Sequence, residues 1–233
     1  RAPRASYSFE RSRLLQSLNN LSLVTEDAEY VPLTEEQRQK IIDMAHADDR
    51  VHYTDIRKKL KIPDELTFNL VRYRGDKTLE ECEKEIFCKM PAYRKIRAVL
   101  GKETEELLSV GQLDEIARVF TLFRNEQKMR DALADAGFDA ALVERLMGGM
   151  DSFSGFGNLS IKALRNINPH LEDGLVYSDA CAAAGYNHTG HTGTERNMLI
   201  SLKHLSEAME YTVSSPVAKR AISQTAKVLN NII

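Results

Sequence analysis

Apolar residues in this chain recur at three- and four-residue intervals, and that period commits it to helices more firmly than any other feature. Leu14, Leu15, Leu18 and Leu21 form one such stripe and predict a helix over Phe9–Leu23. Thr34-Glu35-Glu36-Gln37 has the form of a capping box, in which the Thr34 hydroxyl bonds the Gln37 amide and Gln37 reaches back. A helix through Ala45 should follow it. Thr54 can cap a short helix, Asp55–Leu60, that stops before Pro63. Further helices are expected over Ala92–Leu100, Leu113–Phe123, Glu126–Ala136, Ala140–Met147, Ile161–Asn166 and Ser178–Ala184. A last one starts at Pro216, which suits a first helical turn, and runs to Ile233.

Three stretches depart from that period. Glu26–Leu33 is acidic, contains Pro32 and reads as a linker. Phe68–Tyr73 alternates like a strand, turns at Arg74-Gly75-Asp76, and could pair with Glu85–Lys89. Tyr186–Thr194 is rich in turn formers and reads as an exposed loop. The expected fold class is therefore mainly α, with room for one small β-hairpin.

Of the 233 residues, 42% are hydrophobic, enough to bury one or two cores. No apolar run approaches the ~20 residues of a membrane helix, so no membrane partner is expected. The opening Arg1-Ala2-Pro3-Arg4 is not a signal peptide, and the absence of an initiator Met suggests a piece of a longer protein. Cys82, Cys88 and Cys181 are odd in number and read as free thiols in a reducing cytoplasm.

The formal net charge is -2, but the charges are segregated. Lys89–Lys102 and Val213–Ile233 contain Lys and Arg and no acid, whereas acids gather in Glu26–Glu36, Glu103–Glu115 and Asp131–Asp151. Arg94 and Arg97 would share one side of a helix, with Lys95 between them and Tyr93 alongside. Lys162 and Arg165 form a smaller pair. On the last helix Arg220, Gln224, Lys227 and Asn231 follow one stripe, opposite Val217, Ala221, Val228 and Ile232. Such rows can track a phosphate backbone without reading bases. They can equally be solubilising faces, or pair with the acidic helices.

Other chemistries find less support. Cys181, His188 and His191 lack the fourth ligand that closes a structural zinc site. Gly148-Gly149 and Gly155-Phe156-Gly157 have neither a preceding strand nor the third glycine of a dinucleotide fingerprint, and read as helix ends. No Ser or Cys sits in a nucleophile elbow.

Four segments together resemble one family. Arg1-Ala2-Pro3-Arg4-Ala5-Ser6-Tyr7-Ser8-Phe9-Glu10 with Leu18-Asn19-Asn20-Leu21 is similar to a stretch late in the recognition lobe of type II CRISPR-associated RNA-guided DNA endonucleases. Met90-Pro91-Ala92-Tyr93-Arg94-Lys95-Ile96, Leu159–Ile167 with Tyr177–Cys181, and Ser215–Gln224 continue the resemblance in order, nearest to the compact type II-C branch. Ser215 in place of Asn, and Thr225-Ala226 in place of a more basic pair, depart from it.

The resemblance implies a helical recognition subdomain over 25–213, entered by a helix in 1–24 and left by a helix in 214–233 that leads to a nuclease domain. It implies that catalytic residues, and the Mg2+ they would use, lie outside this chain, so no enzyme activity and no cofactor are expected here. The implied partners are the guide RNA–target DNA heteroduplex, the remaining domains of the parent nuclease and inhibitor proteins, the chain acting as a monomer in a bacterial cytoplasm. The residues expected to touch phosphate are Arg94, Lys95, Arg97, Lys162, Arg165, Arg220 and Lys227. The alternative is a protein-docking module without nucleic-acid affinity of its own.

Overall fold

In the computed structural model, residues 1–48, 50–101, 104–186, 205, 209 and 215–232 are described. They fall into two compact units, Arg1–Tyr186 and Asn187–Ile233. The first begins with α1 (Tyr7–Asn19), a hairpin of β1 (Ser22–Val24) and β2 (Tyr30–Pro32), α2 (Glu35–Ala47), β3 (Val51–His52), α3 (Tyr53–Leu60) and β4 (Thr67–Phe68). It continues through α4 (Leu79–Cys82), β5 (Ile86–Cys88), α5 (Pro91–Leu100), α6 (Thr104–Leu107), α7 (Val110–Leu122) and α8 (Glu126–Asp135), to α9 (Ala140–Gly149), α10 (Ile161–Glu172) and α11 (Tyr177–Ala183). In the second unit α12 spans Pro216–Ile232.

Helix α1 is the axis of the first unit, packed against α10, α7, α5 and α2. Leu14, Leu15 and Leu18 are buried as the stripe predicts, but so are Ser8, Glu10 and Ser12, because neighbours cover more than one face. The helix stops at Asn19 rather than Leu23. Leu21 and Leu23 stay buried all the same, Leu23 now on a strand. Residues 1–24 therefore share one core with the residues that follow.

The stretch expected as a linker is half of the hairpin. β2 lies antiparallel to β1 in the register Ser22↔Pro32, Leu23↔Val31, Val24↔Tyr30. The turn closes through the Thr25 N–H to the Glu29 carbonyl at 3.0 Å, with Ala28 at φ 62°. Pro32 is tolerated because β2 is an edge strand. The other edge of β1 takes β4, through Leu23↔Phe68 and Val24↔Thr67. Glu85–Lys89 does not pair with Phe68–Tyr73; β5 pairs instead with β3. The chain leaves the sheet after Phe68 because a buried network claims it. The Phe68 N–H donates to the Tyr73 hydroxyl (2.9 Å), which donates to Glu83 (2.7 Å). Glu83, fully buried, accepts two 2.7 Å bonds from Arg57.

Helix boundaries follow local chemistry. Thr34 and Gln37 form the predicted capping box, and α2 runs on to Ala47. α3 starts two residues earlier than a Thr54 cap suggests, because His52 is the cap and the Asp55 carboxylate accepts the His52 N–H at 2.9 Å. It ends at Lys61, φ 53°, ahead of Pro63. α10 extends past Asn166 and through Pro169 to Glu172. The three cysteines are buried free thiols.

Candidate nucleic-acid interface

The basic residues singled out from the sequence divide into two groups. On α5, Arg97 donates to the His46 carbonyl at 2.6 Å and so ties α5 to the end of α2. Lys95 pairs with Asp151, and the half-buried Arg94 is engaged as well. On α10, Arg165 gives two bonds of 3.1 and 2.8 Å to Asp114 Oδ2. Asp114 is only 3% exposed and also accepts the Ser8 N–H and hydroxyl, joining α1, α7 and α10. These cations serve the fold first. Lys162 is exposed, with no ion pair among the described residues. Arg220 and Lys227 are exposed on α12, in the second unit. The acids of Asp131–Asp151 are partly committed too, through Arg130 with Glu144 and Gln127 with Asp131.

A different set of cations surrounds an open groove of about 790 Å³. Its walls are α1, the β5–α5 connection, residues 157–159 and the start of α11. Arg4, Arg13 and Lys89 line it, all three exposed. Arg4 Nε donates to the Phe156 carbonyl at 3.2 Å, and neither Arg13 nor Lys89 makes an ion pair among the described residues. Leu14, Phe87 and Pro91 supply apolar surface, while Gln16, Ser17 and Asn158 add neutral polar groups.

Two glycines hold this groove together. The N-terminal segment lies along residues 155–159 through Ala2 N–H to Leu159 (2.7 Å), Gly157 N–H to Ala2 (2.8 Å) and Arg4 N–H to Gly155 (3.0 Å). Gly155 has φ 85°, a conformation that favours glycine. A Cβ on Gly157 would stand 2.4 Å from the Phe9 ring. Of the two glycine runs, Gly148-Gly149 ends α9, whereas Gly155 sits beside the Arg4 side chain and Gly157 lets the 155–159 segment approach Phe9 of α1.

Among the described residues the one acid lining the groove is Glu10. Its carboxylate accepts the Ala92 and Tyr93 N–H groups at 3.0 Å each, capping α5, whose own N-cap residue, Met90, supplies no side-chain bond. The group is 6% exposed. Burial pushes its pKa up to about 7 in spite of the two amide bonds.

A second cleft, about 490 Å³, lies between α1, α2, α7 and α10. It is electrically balanced: Arg11 pairs with Glu172 at 2.7 Å, and Asp43 lines the opposite side. The rings of Tyr7, His46 and Tyr93 stack nearby with centroids 5.0–6.0 Å apart.

Among the described residues no group of three or more His, Cys, Asp or Glu side chains could hold a metal ion. His188 and His191 lie outside the described residues.

Arg4, Arg13 and Lys89 escaped the sequence reading because they come together only in three dimensions. Lys89 was visible within the basic run, and Arg4 within the opening motif; Arg13 had no local signal.

Residues 1–135 match the family of the Cas9 alpha-helical lobe domain. The CRISPR-associated endonuclease Cas9 of Campylobacter jejuni is 25% identical over 241 residues, covering 100% of this chain and 21% of that protein. Cas9 1 of Streptococcus thermophilus is 26% identical over 244 residues, again over 100% of this chain and 21% of the relative. The chain thus spans about a fifth of these curated relatives. Among solved structures, Campylobacter jejuni Cas9 in complex with sgRNA and target DNA superposes with a TM-score of 0.61 at 22% identity, over 100% of this chain and 28% of that one. A St1Cas9–sgRNA–AcrIIA6–tDNA59–ntPAM complex gives 0.58 at 24% identity, over 100% and 27%. The fold is shared.

Proposed function

Because the chain belongs to the family of the Cas9 alpha-helical lobe domain, we propose that it is a non-catalytic recognition-lobe module that holds a guide RNA–target DNA heteroduplex by its sugar-phosphate backbone. The observation that carries this reading is the groove edged by Arg4, Arg13 and Lys89, where exposed cations meet one buried acid among the described residues. A backbone-tracking surface needs cations free to exchange counterions for phosphate. Arg97 and Arg165 are committed to the fold, so they support the interface indirectly. Lys162, exposed and without an ion pair among the described residues, can add to the contact, and Arg220 and Lys227 offer exposed cations on the second unit.

In this reading base pairing supplies sequence specificity, and the protein reads A-form shape. Hydrolysis belongs to other parts of a longer nuclease, and the module would pass the state of the heteroduplex to them. Supporting this, two relatives of like fold bear names that state complexes with sgRNA and DNA, one of them also with AcrIIA6.

The test is fluorescence anisotropy of the 233-residue chain with a heteroduplex of about 20 base pairs, against duplex DNA and single-stranded RNA, across a salt series. Preferential binding to the heteroduplex that weakens steeply with salt, and a shallower slope for Arg13→Ala and Lys89→Ala, are expected. Absence of binding at low salt would sink the reading and move the weight to a protein-docking role.

A further inference from the structure

The groove that Arg4, Arg13 and Lys89 line is also lined by a buried carboxyl group. Glu10 is 6% exposed and bonded to the first amides of α5. Around it stand Arg4 from the N-terminal segment, Arg13 from α1 itself, Cys88 and Lys89 from β5 and its connection, and Tyr177 from α11. From α5 the facing groups are the amides of Ala92 and Tyr93, and residues 157–159 bring no charge.

From this arrangement we infer that nucleic-acid binding in the groove is coupled to protonation of Glu10, so that the bound state takes up a proton. This rests on the reading of the groove as a phosphate-binding surface. A phosphate held by Arg4, Arg13 and Lys89 adds negative charge near a carboxylate that water barely reaches. Poor solvation leaves their repulsion weakly screened. Protonating Glu10 removes it, and the neutral carboxyl still accepts a backbone amide through its carbonyl oxygen.

The other titratable groups of the groove leave Glu10 as the one that changes charge near neutrality. Burial pushes the Cys88 thiol up to about 12, and burial together with Cys181 pushes the Tyr177 hydroxyl up to about 12. Glu10, by contrast, titrates at about 7. Linkage is reciprocal: if binding raises the pKa of Glu10, protonation tightens binding by the same factor. The sign follows. Affinity is greatest where Glu10 is already protonated in the free protein and falls as pH rises through the pKa of the bound state.

The experiment measures heteroduplex affinity of the full chain by anisotropy from pH 6 to pH 8.5, for the wild type and Glu10→Gln. The wild type should lose roughly fivefold or more in affinity over this range, and Glu10→Gln should bind with the pH dependence removed. Because Glu10→Gln also alters the cap of α5, titration calorimetry of the wild type in two buffers of different ionisation enthalpy gives an independent reading. Net uptake of a fraction of a proton near neutral pH is expected there. Binding with the same pH profile in both proteins, or without proton uptake, would overturn the coupling and leave the groove as a phosphate surface. Absence of binding at every pH would overturn both.

Discussion

Glu83 and Arg57 meet in two parallel hydrogen bonds of 2.7 Å, the carboxylate having no exposure to water at all. Arg57 spends its remaining donors on the carbonyls of Ile62, Pro63 and Leu66, and Glu83 also accepts the Tyr73 hydroxyl. Removing one member of a buried pair leaves the other uncompensated. Glu83→Ala should therefore cost about 3–5 kcal/mol in urea denaturation. A loss below 1 kcal/mol would mean that water enters the site and solvates Arg57.

Gly157 predicts a steric effect. A methyl group there would lie 2.4 Å from the Phe9 ring, so Gly157→Ala should destabilise the unit by roughly 1–3 kcal/mol. Phe9→Leu in the same chain should recover part of the loss. A double-mutant cycle by thermal or urea unfolding reads the coupling; strict additivity would show that the ring moves aside freely.

Stability should depend on pH through Glu10. Its folded pKa of about 7 stands above the ordinary carboxylate value of 4.5, so the folded state holds a proton that the unfolded state releases. The contribution is complete below about pH 4.5 and is lost as pH rises towards 7, amounting to as much as about 3 kcal/mol. The difference between wild type and Glu10→Gln in urea unfolding across this window isolates it. A difference that grew with rising pH in the wild type's favour would contradict the assignment.

The cations should separate into two classes. Arg13→Ala and Lys89→Ala should each reduce the salt slope of nucleic-acid binding by about 0.7–0.9 while leaving stability within about 0.5 kcal/mol. Arg165→Ala should lower stability by roughly 1–3 kcal/mol, since it withdraws two hydrogen bonds from the buried Asp114. Urea unfolding and anisotropy on the same proteins tell the classes apart.

Much of the helical layout was readable because its causes are local. The Thr34–Gln37 box and the Leu14, Leu15, Leu18 stripe act within a few residues of themselves. Strand pairing was not, because β1 takes β2 on one edge and β4 on the other by register and burial, and nothing in Phe68–Tyr73 announces that Tyr73 will be drawn to Glu83. The candidate groove was legible only in part, through Lys89 in the basic run and Arg4 in the opening motif. Arg97 and Arg165 looked available in a sequence that conceals His46 and Asp114, each 51 residues distant. Arg13 looked ordinary until the fold brought Arg4 and Lys89 beside it.

The placement of α1 has a bearing on how the unit can form. The Ser8 carbonyl accepts a bond from Asn168, 160 residues later in the chain, and α1 packs most extensively against α10. During synthesis, at about 5–20 residues per second, the first helix must wait roughly 10–30 s for its main neighbour to leave the ribosome. Loop closure over that length makes the final docking an entropically late event. Until then the leucine stripe of α1 is exposed, or shielded only by the earlier neighbours α2, β5, α5 and α7, which makes the nascent chain a natural client for chaperones.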